Sequence, residues 1–343
     1  MMNLEKELFL EGLNLPEGFS FRPAKLTDVL ELTTLFNLIS EKVEGVKDFT
    51  PHELENDLKS PGFDIAENTI IICDQDGKIV AYQDMFALSS IPVRPIVWGR
   101  VHPDHMNRGF GTALFRWGME RAKSVLDKVP KDVRVAVRTW NVSTWNAGKE
   151  MLENLGLEIK RHYFEMEIEM NSQLPNPVWP DGIKIFSFQY PKEAKDLYRA
   201  FEESFKDHYG FVAEEFDEGF KQFEHMRINE EGFDPDLWFL AKDSNEIAGF
   251  SLCRKWSHES REDGHVSVLG VRPKWRKKGL GLALLQHSFT EYWKRGQQRV
   301  TLGVDGNSIT GAVKLYERAG MKKFKQVDSY EIELRPGREI ARV

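Results

Sequence analysis

The run Arg276-Lys277-Lys278-Gly279-Leu280-Gly281-Leu282 is the part of this chain best suited, by residue type and spacing, to hold an anion. Glycine lets a backbone approach an anion closely. The free amides at a helix start face that anion with partial positive charge. Arg276, Lys277 and Lys278 add full charges beside them. The ligand of such a loop is a phosphate. A nucleotide loop of the form Gly-x-x-x-x-Gly-Lys-Ser/Thr is absent, and Leu284 stands where a dinucleotide loop needs its third glycine. Taken alone, the segment also fits an ordinary strand-to-helix turn.

A phosphate loop needs a strand before it and a helix after it. Val266, Val268 and Val271 alternate as a strand does, and Pro273, with no amide hydrogen, ends the ladder. An apolar helical run begins at Leu282. The whole pattern occurs a second time. Val101-x-Pro103 matches Val271-x-Pro273, and Asn107-Arg108-Gly109-Phe110-Gly111-Thr112 matches the second glycine loop. A hairpin pattern at 69–82 matches one at 237–250, and the helix-plus-glycine segment 150–157 matches 314–321. Three blocks repeated in one order describe a duplicated domain. Residues 1–170 form the first copy, a proline-rich linker covers 171–182, and 183–343 form the second.

Composition agrees. At 343 residues the chain is long enough for two cores, and 41% hydrophobic with 29% charged residues is globular. A formal charge of −7 leaves no basic face for nucleic acid. No apolar run reaches membrane-spanning length. The acidic, amphipathic start (Leu4, Leu8, Phe9) lacks a signal-peptide pattern, so a cytoplasmic protein is expected. Cys73 and Cys253 fall inside strands and read as buried thiols, with no metal site. In each copy the order is strand, two helices, hairpin, strand, loop, helix, strand, helix, strand. Thr27-Asp28 is expected to cap the first helix. The class is α+β, with helices flanking a mixed, mostly antiparallel sheet.

Arg276-x-x-Gly279-x-Gly281, after a strand and before a helix, resembles the pyrophosphate loop of the GNAT-type N-acetyltransferases, and the duplication is similar to tandem members such as mycothiol synthase. The resemblance implies acetyl-coenzyme A, or another short acyl-coenzyme A, as cofactor. Leu269, Gly270 and Val271 would lie along its acyl-pantetheine arm, with the amide of Leu269 or Val271 polarising the thioester. Asn307 would bond the arm or stand near a helix start. Tyr316 would give its proton to the departing sulfur, or anchor its helix as a half-buried aromatic. Where the family often has a glutamate base, this chain has His265, with His258, Glu259, Glu262 and Asp263 as alternatives.

The first copy departs twice: Met106 replaces the loop's leading arginine and Leu152 the tyrosine. It would hold coenzyme A through Val101 and 107–112, or act as scaffold, without catalysing. The acceptor would be a small-molecule or peptide amine. Glu214, Glu215, Asp217, Glu218, Glu230, Glu231, Asp234 and Asp236, interleaved with phenylalanines, either form a mouth for a cationic amine or a solvated face above an aromatic core. A non-catalytic acyl-coenzyme A sensor is the other functional class. Monomer and homodimer both remain open.

Overall fold

The computed structural model describes residues 15–172 and 174–342, so the amphipathic start at Leu4, Leu8 and Phe9 lies outside the described residues. The chain forms two compact units. The first holds the residues up to Lys160 together with Ser329–Glu339; the second holds Arg161–Asp328 together with the residues from Ile340.

In the first unit, strand β1 (Ser20–Arg22) is followed by helices α1 (Val29–Glu44) and α2 (Pro51–Leu58). The hairpin β2 (Thr69–Cys73) and β3 (Ile79–Phe86), strand β4 (Ile96–Val101), helix α3 (Phe110–Ala122), strand β5 (Val135–Val142) and helix α4 (Asn146–Asn154) come next. The sheet order is β1-β2-β3-β4-β5. Helix α1 buries Val29, Leu32, Leu35, Phe36 and Ile39 on one stripe, against strands β2 and β3. Gly45, at φ 78°, ends it. Asp28 acts differently from a simple cap. Its carboxylate accepts from the Lys25 amide and pairs with Arg22 at 2.6 Å, closing a short turn ahead of α1.

The second unit repeats the plan with β7 (Ile183–Ser187), α5 (Ala194–Phe205), α6 (Phe216–Ile228), the hairpin β8 (Phe233–Asp243) and β9 (Glu246–Arg254), β10 (Gly264–Val271), α7 (Leu280–Lys294), β11 (Arg299–Asp305) and α8 (Ala312–Arg318). One face of its sheet packs on α7 and α8 and the other on α5 and α6. Tyr292, fully buried on α7, donates to the carbonyls of Arg254 (2.7 Å) and His265 (2.8 Å). Its ring lies so close to Gly264 that any Cβ there would meet it at 2.5 Å. These contacts fix where β10 starts.

The expected cut between copies is corrected by two strands. β6 (Glu158–Glu169), read as the closing strand of residues 1–170, pairs with β11 from Tyr163↔Asp305 to Glu169↔Arg299, and so belongs mainly to the second unit. β12 (Lys322–Arg335) is divided the other way, its end from Ser329 belonging to the first unit. There Tyr330 is fully buried in a core with Met85, Val97 and Val137. Alternation along a strand cannot say which neighbour that strand will choose. In the 171–182 stretch, Trp179 packs on the second unit's core while Val178 is exposed.

Candidate functional site

Strands β10 and β11 are parallel and pair only at Gly264↔Val300 and His265↔Thr301; beyond that they diverge. On its other side β10 stays paired with β9 to Val271↔Gly249. The Arg272 amide donates to the Ala248 carbonyl at 3.0 Å. Backbone groups alternate in direction along a strand, so the Leu269 and Val271 amides turn away from β9, into the gap. These are the two amides expected to face a thioester.

The glycine loop follows β10 at the wide end of that gap. Lys277 stands at φ 62° and Gly279 at φ 87°, the latter capping α7. Lys277, Lys278 and Gly279 are exposed, whereas Leu280 is buried in the core. A Cβ on Gly281 would meet Leu315 at 3.1 Å and Val271 at 3.6 Å, so this glycine lets α7 lie close to α8 and β10. Leu282 follows in the first turn of α7.

Arg276 is where the structure departs from expectation. Its Nε donates to the Val271 carbonyl at 3.0 Å, an Nη donates to the Ser204 carbonyl at 2.8 Å, and the group pairs with Asp207. The guanidinium therefore clamps the end of α5 to the end of β10. Asp207 is held below the usual carboxylate range by that bond. The sequence carried no signal for this partner, which lies 69 residues away.

Tyr316 is on α8 at the edge of the core, 8% exposed, and burial alone pushes its phenol up to about 12. Asn307 is exposed in the turn after β11, its amide bonded to the Asp305 carboxylate at 2.8 Å; Gly311, not Asn307, caps α8. His265 is half-buried, with Nδ1 2.9 Å from the Thr301 hydroxyl and its ring 5.7 Å from that of His258. Burial, reinforced by His258, Arg254 and Arg227, holds it neutral well below the ordinary imidazole range. Among the alternatives, Glu259 pairs with Lys325 and Asp263 with Arg299, while Glu262 is exposed.

Val300, Leu302 and Val304 of β11 face α7 and α8, so Thr301, Gly303 and Asp305 face the α5 and α6 side. A Cβ on Gly303 would meet nothing within 4 Å. This is open space in the middle of a strand, beside the gap. The acidic segment turns out largely as the plainer of its two readings. Glu215, Asp217 and Glu218 are exposed, and Phe201, Phe205, Phe216, Phe220 and Phe223 pack with Tyr198 as core.

The first unit repeats this geometry. β4 pairs with β5 only at Ile96↔Arg138. Asn107 stands at φ 61° and Gly109 at φ 84°, within 3° of Lys277 and Gly279. A Cβ on Gly111 would meet Met151 at 3.0 Å and Val101 at 3.7 Å, as Gly281 meets Leu315 and Val271. A cleft of about 250 Å³ opens there, lined by Val101, Asn107, Gly109, Phe110, Gly111 and Thr112, with Leu152 and Asn141 beyond. Arg108 is exposed on the loop. Met106 adopts the same extended backbone (φ −64°, ψ 159°) as Arg276 (φ −66°, ψ 159°), so losing the arginine does not change the loop's shape.

A parallel strand pair that parts beside a glycine-capped helix is present twice, which is the tandem arrangement the acetyltransferase resemblance implies. Residues 188–321 match the acetyltransferase (GNAT) family. The chain is 30% identical to a GCN5-related N-acetyltransferase from Sphaerobacter thermophilus, with a TM-score of 0.77 over 95% of this chain and 99% of that one. It is 27% identical to the mycothiol acetyltransferase of Acidothermus cellulolyticus over 90% of this chain and 94% of the relative. A tandem GNAT protein from the clavulanic acid biosynthesis pathway shares the fold, with a TM-score of 0.69 at 15% identity. The chain belongs to the GCN5-related N-acetyltransferase family and carries its tandem two-domain form.

Proposed function

We propose that the second unit transfers the acetyl group of acetyl-coenzyme A to a primary amine of a small molecule or peptide, by direct attack with both substrates bound. The observation that carries this reading is the parting of β10 from β11 after His265, with the Leu269 and Val271 amides turned into the gap. The amides of the glycine loop and the first turn of α7, within 276–282, grip the diphosphate, as helix starts do. Gly270 and its neighbours line the arm, Asn307 borders its mouth, and the two strand amides bond the thioester oxygen, most strongly as negative charge develops there. Tyr316 gives its proton to the leaving sulfur. The proton of the acceptor goes to a base on the α5 and α6 face of the sheet.

The first unit binds coenzyme A at its own loop without catalysing, since Leu152 has no proton to give. Its open cleft supports that part of the reading. The mycothiol acetyltransferase relatives favour a small thiol-bearing amine as acceptor. The test is thiol release from acetyl-coenzyme A against a panel of primary amines, with calorimetry of coenzyme A on the full chain. Turnover with at least one amine is expected. Tight coenzyme A binding with no turnover on any amine would favour the sensor reading, and no binding would overturn both.

A further inference from the structure

We propose that His208, rather than His265, takes the proton from the acceptor amine in the second unit; the assignment rests on the acetyltransfer reading above. Residues 207–209 reach both arms of the gap at its open end. Asp207 pairs with Arg276, whose Nε holds the Val271 carbonyl at the end of β10. Arg161 lies 3.9 Å over the Tyr209 ring and 4.0 Å from Asp305, the last residue of β11. His208 stands between these two attachments. Its Nε2 is 4.0 Å from the Asp207 carboxylate, its side chain is 34% exposed, and its ring meets that of Phe205 at 4.7 Å. The open space at Gly303 lies on the same face of β11 as Asp305.

His265 occupies the opposite end. It sits where β10 and β11 are still paired, against Thr301, four residues and about 13 Å along the strand from Asp305. A base must come within about 3 Å of the attacking nitrogen or one water beyond it. That nitrogen has to reach the carbonyl held by Leu269 and Val271, near the end of β10 to which Asp207, the neighbour of His208, is tied through Arg276.

The step balances as follows. The acceptor ammonium gives one proton to the His208 imidazole, which returns it to water across its exposed edge. The freed nitrogen lone pair forms the C–N bond while the C–S bond breaks. The thiolate takes the Tyr316 proton, and the second nitrogen proton restores Tyr316. One proton is released per turnover. His208 faces Asp207 and Asp305, which favour its cation, and Arg276, which opposes it; burial outweighs both and lowers its titration. The acid limb of kcat/KM therefore falls below the ordinary imidazole value of about 6.5.

His208→Gln and His265→Gln in the full chain separate the two assignments. H208Q should lower kcat about 100-fold or more at neutral pH and abolish the acid limb, with KM for acetyl-coenzyme A and thermal unfolding unchanged. H265Q should keep the limb. His208→Asn serves as a second variant if the glutamine disturbs the loop. An unchanged pH profile in the His208 variants, or loss of the limb in H265Q alone, overturns the assignment while leaving the acetyltransfer reading intact. Absence of wild-type turnover overturns that reading itself.

Discussion

A phenol that titrates at about 12 stays protonated across any working pH, so Tyr316 adds no alkaline limb to the rate below that value. The same dry surroundings would raise the proton affinity of a thiolate formed beside it, as the proposed transfer requires. Tyr316→Phe should lower kcat by roughly 100-fold while leaving KM for acetyl-coenzyme A within about twofold. Steady-state kinetics check this; an unchanged kcat would return Tyr316 to the role of core aromatic. Residues of this kind were legible because their chemistry is local to a motif: the glycines, the strand amides and the tyrosine all fall within recognisable runs. What Arg276 does was not legible. A guanidinium seeks a carboxylate, and nothing in the sequence marks Asp207 as the one that folds against it.

At the scale of the element, the two glycine loops are held by backbone geometry more than by side chains. Gly109 and Gly279 both adopt left-handed φ, where any other L-residue is strained. Gly111 and Gly281 instead make room for the next helix. Calorimetry should therefore find two coenzyme A sites per chain. Gly281→Val should remove one of them together with all turnover, because the branched side chain drives α7 away from Leu315. Gly111→Val should remove the other and spare most of the activity. A single site in the wild type would show that loop shape alone, without Arg276 to brace it, does not suffice. Helices and hairpins were readable here because periodicity and turn residues are local signals. The parting of β10 from β11 was not, since a strand that leaves its neighbour keeps the same alternation.

At the scale of the molecule, the exchange of strands makes the units interdependent. Glu331, 3% exposed near the end of β12, lies 3.3 Å from Arg94, 3.5 Å from Arg134 and 3.6 Å from Arg138, all within the first unit. Removing a buried charge from its partners costs about 3–5 kcal/mol. Glu331→Gln should thus lower the unfolding temperature of the first unit selectively, seen in scanning calorimetry as an earlier transition. Coincidence with wild type would mean that Glu339, with Glu333 at Arg134, balances the arginines without it. The exchange also bars a tempting shortcut. A fragment of residues 183–343 would lack β6 and leave the β11 edge unpaired, so its inactivity would say nothing about the site.

The same exchange has a temporal side. Ribosomes make a chain from its amino terminus at about 5–20 residues per second. The first unit needs Tyr330 and its neighbours to complete its core, and these are made after residues 161–328 of the second unit. Its folding must therefore wait for nearly the whole of the second unit to be translated, and nascent chains stalled before Ser329 should remain open to protease in their first half.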